Sequence, residues 1–168
     1  MKRICLISDT HCHIAPDMVK YLEECDEIWH AGDIGNIETA DTLSKIKPLR
    51  AVFGNIDDHT VRSIYPQDNR FVCEGMDVLM THIGGYPGRY EQRIREILKK
   101  STPGLLICGH SHILKVIYDK QYGMLHLNPG AAGISGFHKM RTLLRFALDS
   151  GEIRDLSIVE MGKKHVQM

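Results

Sequence analysis

Five short apolar runs in this 168-residue chain end in the same way, and that recurrence constrains the fold more than any other feature. "RICLIS" gives way to Asp9-Thr10-His11, "EIWHA" to Gly32-Asp33, and "AVF" to Gly54-Asn55. "VLM" gives way to Thr81-His82, and "LLIC" to Gly109-His110-Ser111-His112. A short apolar run cut off by small and polar residues reads as a buried strand. Each strand end then presents an Asp, an Asn or a His. In an open α/β sheet, ligands gather at the carboxyl ends of strands, where loops from several strands converge.

The stretches between those runs set the connectivity. Pro16 suits the first helical position of "PDMVKYLEEC", where Met18, Val19 and Leu22 share a face. Asn36 can cap a helix running to about Lys47, and Pro48 punctuates its end. With strands at Arg3–Ser8, Glu27–Ala31 and Leu49–Phe53, the first third reads strand, helix, strand, helix, strand. That order implies parallel pairing through right-handed crossovers. Phe71–Cys73 and Val78–Thr81 read as two strands turning near Gly75. Arg89–Lys100 is the clearest helix, with Tyr90, Ile94, Ile97 and Leu98 in one stripe. After Leu105–Cys108, shorter strands follow near Lys115–Tyr118, Met124–Leu127, Thr142–Ala147 and Ile153–Val159. The expected fold is α/β: a βαβαβ start with a second, more antiparallel sheet packed on it, closing a two-sheet sandwich. Residues 1–168 are expected to form a single domain, since no repeat, low-complexity segment or linker interrupts them.

Composition excludes several roles. Lys+Arg and Asp+Glu are 21 each, so bulk charge will not hold the chain on nucleic acid or an anionic membrane. No apolar run is long enough to cross a bilayer. "MKRICLISDT" lacks a signal peptide's long apolar stretch and cleavage site, and reads as a first strand. The five cysteines are odd in number and form no C-x-x-C, which argues against a disulfide framework or a cysteine zinc site. A reducing cytoplasm is the simplest expected setting.

The ten histidines point to metal chemistry, because they sit close to Asp, Asn and Gly. Carboxylates supply charge, imidazoles supply nitrogen donors, and an amide is a neutral hard oxygen donor. Asp9-x-His11 and His110-x-His112 are expected to place two donors each on one side of an extended backbone. Asp33 can bridge two cations. Asn55 adds an oxygen without negative charge and leaves the site electrophilic. Each fragment alone is bland: Gly-Asp and Gly-Asn are common turn dipeptides. All five in order, each at a strand end, favour a pair of metal ions.

The series "SDTH", "GD", "GN", "TH", "GHSH" resembles the calcineurin-like metallophosphoesterases, whose pattern is D-x-H, G-D, G-N, H, G-H-x-H. "LNPGA" at Leu127–Ala131 resembles the Asn-Pro-Gly turn of the small YfcE-like phosphodiesterase branch, which carries the bare sandwich without cap domains. The resemblance implies a hydrolase of phosphoric ester bonds that uses two divalent metals. Asp9, His11, Asp33 and His112 would hold one cation, and Asp33, Asn55, His82 and His110 the other. Asp33, Asn55 and His82 carry over as the catalytic set. The family's habit favours manganese, while nitrogen and oxygen donors also accept Fe, Ni, Co or Zn. The implied reaction is attack on phosphorus by a hydroxide shared between the two ions, with a small phosphodiester as substrate.

One position departs from the wider family, which often reads Gly-Asn-His. Here Gly54-Asn55 is followed by Ile56, which has no proton to give. General-acid help is typically worth ~10²–10⁴ in rate, so Ile56 is expected to narrow the substrates toward good leaving groups. His13, His59 and His138 read as ordinary loop residues before replacement proton donors. His30 and His126 read as satisfied core residues and His165 as tail. Asp57 reads either as a carboxylate orienting a ligand histidine or as a turn former. Arg89 and Lys139 read as phosphate contacts or surface charges, and Cys12 as a loop residue before a reactive thiol. The same fold also serves as a protein-binding scaffold in a retromer subunit, and larger relatives cut DNA. Seven competent ligand side chains put the scaffold second, and zero net charge makes the nuclease weaker. Exposed edges of the second sheet leave room for a homodimer or homotetramer.

Overall fold

The computed structural model describes residues 1–163, so His165 lies outside the described residues. The first third alternates as its breakers demand: β1 (Lys2–Ile7), α1 (Pro16–Glu23), β2 (Glu27–His30), α2 (Ile37–Ile46) and β3 (Leu49–Ala51). Pro16 opens α1, and the Asn36 side chain caps α2 by accepting from the Thr39 amide. A short helix, α3 (His59–Ile64), follows on the Asp58 cap; the sequence pattern gave no sign of it. Then come β4 (Asp68–Cys73), β5 (Met76–Thr81), α4 (Gln92–Lys100), β6 (Leu105–Ile107), β7 (Lys115–Asp119) and β8 (Met124–Asn128). The chain closes with β9 (Met140–Asp149) and β10 (Glu152–Lys163). Helix α4 starts three residues later than its apolar stripe suggested, because Gly85 and Gly88 adopt left-handed turns before it.

Among the described residues, ten strands form two five-stranded sheets, ordered β10-β9-β1-β2-β3 and β4-β5-β6-β8-β7. This is the expected two-sheet α/β sandwich. One allocation differs: β9 and β10 return to the first sheet, where β9 pairs antiparallel with β1. The second sheet is mixed, with β5, β6 and β8 parallel and β4 and β7 antiparallel at its edges.

The sheets enclose a core of Ile4, Leu6, Trp29, Val78, Met80, Ile107, Leu127 and Leu144. α1 and α2 cover the outer face of the first sheet through Met18, Leu22 and Leu43. α4 covers the second through Ile94 and Leu98, with the Tyr90 hydroxyl donating to the buried Asp119 at 2.6 Å. Of the two expected core histidines, His30 is satisfied: it accepts from the Gly32 amide at 3.1 Å and pairs with Thr10 at 2.9 Å. His126 departs from that expectation. It is fully buried against the Tyr90 ring, neither ring nitrogen has a hydrogen-bond partner, and burial pushes its pKa down to about 4.

Trp29 is the chain's only tryptophan and sits wholly between the sheets. It meets Phe71 and Phe146 edge-on at 4.9 and 5.7 Å between ring centroids. Trp29→Ala is expected to lower unfolding free energy by ~3–5 kcal/mol, and Trp29→Phe by less. Urea titrations followed by far-ultraviolet circular dichroism measure both; equal losses would show that ring contact contributes little.

Candidate metal centre

The five strand ends converge. β1, β2 and β3 deliver Asp9, Asp33 and Asn55 from one sheet, while β5 and β6 deliver His82 and the Gly109–His112 loop from the other. The loops are stitched to each other by backbone bonds. The amides of Asp9 and His11 donate to Gly32 and Asp33, and the Gly109 amide donates to the His82 carbonyl. Asn128, at the Asn-Pro-Gly turn, is buried and donates to the Gly109 carbonyl and the Ser111 hydroxyl. Sequence reasoning gave that turn no such task.

All seven expected ligand residues come together, though not on extended backbone. Asp9, His11, Asp33, His110 and His112 have φ of 56°, 45°, 57°, 73° and 62°. Left-handed conformations of this kind cost of order 1–3 kcal/mol and cluster at functional sites. The turns send His110 and His112 into different groups instead of side by side. One group is Asp9, His11 and His112; the other is Asp33, His82 and His110.

Asp33 lies between the groups, with its Oδ2 3.4 Å from His11 Nε2 and 3.2 Å from His82 Nε2. Asn55 Oδ1 stands 3.1 Å from His82 Nε2 and 3.0 Å from His110 Nδ1. His112 Nε2 lies 3.2 Å from Asp9 Oδ1. The other oxygen of each carboxylate is tied back. Asp9 Oδ2 accepts from Ser8 Oγ and the His110 amide, and Asp33 Oδ1 accepts from the Ile56 amide at 3.1 Å. His82 Nδ1 meets the Ala31 carbonyl at 2.7 Å; a carbonyl only accepts, so that nitrogen carries a proton and Nε2 faces the centre. Gly54 is required here, because a Cβ would strike the Asp33 carboxylate.

Asp57 grips backbone amides instead of an imidazole. It accepts from Ile34, Gly35 and Gly54 at 3.2, 2.8 and 2.7 Å, which ties the Asp33 loop to the Asn55 loop. Arg62, on the unforeseen α3, donates to the carbonyls of Asn55 and Asp57 and closes the same loop from outside. Of the loop histidines His13, His59 and His138, the last touches a candidate ligand, with its Nδ1 3.2 Å from His112 Nδ1. Arg89 lines a separate hollow with Tyr90 and Tyr122, Lys139 is exposed, and Cys12 is an exposed free thiol.

The donor set fits divalent cations. Asp9 Oδ1 and His11 Nε2 are buried without hydrogen-bond partners and face each other across the centre at 3.8 Å. Burial by itself would raise the Asp9 and Asp33 carboxyls. The surrounding histidines overcome this and hold both well below the usual carboxylate range. In return the two carboxylates, Asp33 foremost, push His11 up to about 9. His82 is also raised: burial opposes this, but Asp33 and Asp9 prevail. Protons thus neutralise the carboxylates where a cation would.

The family model for the calcineurin-like phosphoesterase superfamily domain matches residues 1–151. Among solved structures, the Thermotoga maritima protein TM1076 is 26% identical, with a TM-score of 0.73 over 95% of this chain and 99% of that one. Vps29 from Entamoeba histolytica, solved with zinc, is 16% identical with a TM-score of 0.72, covering 95% of this chain and 99% of its own. A novel archaeal phosphodiesterase is 18% identical with a TM-score of 0.68, covering 94% and 99%. A search of the curated proteins gives no match.

Two measurements check the geometry and the charge. At His110, φ is 73° and the side chain is exposed. His110→Gly is therefore expected to be more stable than His110→Ala by ~1 kcal/mol in the metal-free protein. Urea midpoints decide, and equality would mean that the turn is unstrained. The second concerns pH. The His11 proton stabilises the metal-free fold fully below about 6.5 and is lost as pH climbs through about 9. The depressed carboxylates contribute above about 3.8 and lose that contribution in acid. This cluster therefore supports the metal-free fold best between about 3.8 and 6.5. Cations need the neutral imidazole, so the stabilisation they add should grow from about pH 6 to about pH 9. Melting with and without divalent metal across that range tests the opposed trends.

Proposed function

The chain belongs to the calcineurin-like phosphoesterase superfamily, and from that premise we propose that it is a metal-dependent phosphodiesterase. The observation that carries this reading is the convergence of seven competent donors, with two three-residue groups side by side and Asp33 Oδ2 within reach of a histidine from each. Asp9, His11, Asp33 and His112 hold one divalent cation, and Asp33, Asn55, His82 and His110 hold the second, with manganese the preferred metal. When bound, the cations supply Lewis acidity, which makes water nucleophilic near neutral pH and draws charge from the phosphoryl oxygens.

The chain's own residues do the rest. Asp33, Asn55 and His82 orient the reacting ester. A pocket of about 210 Å³ opens beside Asn55 and His82, walled by Phe53, Arg62, Ile83 and Arg93. It offers the second substituent of a diester apolar surface and cationic groups, which supports a diester over a monoester. Arg62 has no carboxylate against it among the described residues, whereas Arg93 is paired with Asp68. The Ile56 side chain is 44% exposed and gives no proton, so the leaving group must depart on its own stability.

The scaffold reading comes second. It is supported by the likeness to Vps29 and by the apolar strip Val116, Ile117 and Tyr118, which is exposed on the edge strand β7. The described residues contain no helix long and apolar enough to cross a membrane.

Metal-stripped protein is expected to be inactive on an aryl phosphodiester, and manganese is expected to restore turnover. His82→Ala should cost at least ~10²-fold in kcat. Ile56→His should raise turnover on alkyl diesters more than on aryl ones, because only the poor leaving group needs the proton. Steady-state rates with both ester types check these outcomes. No hydrolysis with Mn, Fe, Ni, Co or Zn, together with a stable protein partner, would favour the scaffold.

A further inference from the structure

His138 sits on the loop between the Asn-Pro-Gly turn and β9, in the stretch "GISGFHKMR". Its Nε2 lies 2.7 Å from the Gly133 carbonyl oxygen. A carbonyl can only accept, so His138 Nε2 carries a proton. In a neutral imidazole the other nitrogen, Nδ1, is then a bare acceptor. It faces His112 Nδ1 at 3.2 Å, so His112 Nδ1 must be the donor of that bond. The His112 proton is thereby placed on Nδ1, and its lone pair on Nε2. That Nε2 is the atom turned toward Asp9 Oδ1, 3.2 Å away.

We infer that His138 is a positioning residue, which fixes the tautomer and ring orientation of His112 through a relay running from the Gly133 carbonyl to the metal-facing nitrogen. The inference rests on reading His112 as a metal ligand. The relay plays the part for His112 that the Ala31 carbonyl plays for His82. Two neighbouring features support it. The Gly133 amide donates to the Asp9 carbonyl, so the acceptor that anchors His138 is itself tied to a ligand loop. Gly136 has a φ of 119° and packs so tightly on the His112 ring that a Cβ there would strike it. The loop therefore crowds the Nδ1–Cε1 side of the ring as well as bonding it. His138 acts through His112 and is assigned no proton transfer to substrate.

The test combines two readouts on the full chain: calorimetric titration with manganese, and imidazole nitrogen NMR of the metal-free protein at alkaline pH. Wild type, His138→Ala and His138→Asn are compared. In the wild type, His112 is expected as the Nδ1–H tautomer. His138→Ala should lose that preference and weaken one manganese site by roughly 10–100-fold while sparing the other. The asparagine carbonyl oxygen can replace Nδ1 as acceptor, so His138→Asn should recover most of the affinity. Wild-type affinity at both sites in the alanine variant would overturn the relay, as would equal weakening of both sites. Failure of asparagine to improve on alanine would also count against it. Should the wild-type protein take up no manganese, the metal reading itself falls, and the spectra alone decide: mixed tautomers at His112 sink the relay.

Discussion

Two carboxylates, Asp9 and Asp33, are buried with no lysine or arginine against them among the described residues, and the structure is arranged around that charge. An ionised carboxylate taken out of water must be paired or bonded, or it will take up a proton. Here each has one oxygen tied to neighbouring polar groups and the other turned to imidazoles. A permanent cation would have closed the pair and silenced it. Histidines neutralise it only with protons, which a divalent ion can displace. The buried charge is therefore both a cost to the metal-free fold and the feature that a bound cation would relieve.

Holding that arrangement takes backbone strain. Five of the seven ligand residues lie in the left-handed region, where Asp and His are tolerated better than branched residues. The strain persists because the loops are held within each sheet and across the two: Asp57 ties the Asp33 and Asn55 loops, Asn128 holds the Gly109–His112 loop, and the His110 amide on Asp9 and the His82 ring on the Ala31 carbonyl join the sheets. Neither Asp57 nor Asn128 is among the seven donors. Their loss would free two strand ends at once, so a centre split between two sheets is only as rigid as these cross-links.

Local patterns made half of this legible in the sequence. Apolar runs, Pro16 and the Asn36 cap act within a few residues, so the βαβαβ start followed directly from them. The return of β9 and β10 to the first sheet did not, because alternation says that a segment is a strand but not which strand it will pair with. α3 is six residues long, too short for a helical period to show. The seven donors were visible by type and order. Their division into groups followed from the family resemblance and not from spacing, since two-residue spacing keeps Asp9 and His11 together but sends His110 and His112 apart, all four on left-handed backbone. His138 resembled a loop residue because its bond to His112 spans 26 positions.

Position 56 shows how backbone and side chain can serve a site separately. The Ile56 amide donates to Asp33 Oδ1, so every residue but proline at this position can help orient the carboxylate between the two groups. The side chain is free of that task and partly exposed beside Asn55. The choice of side chain at 56 therefore leaves the donor geometry intact. A proton-donating side chain at 56 and the donor set around Asp33 are thus separable features of this fold. A chain with isoleucine at this position keeps the full electrostatic reason for gathering cations, since the two buried carboxylates still need a positive partner.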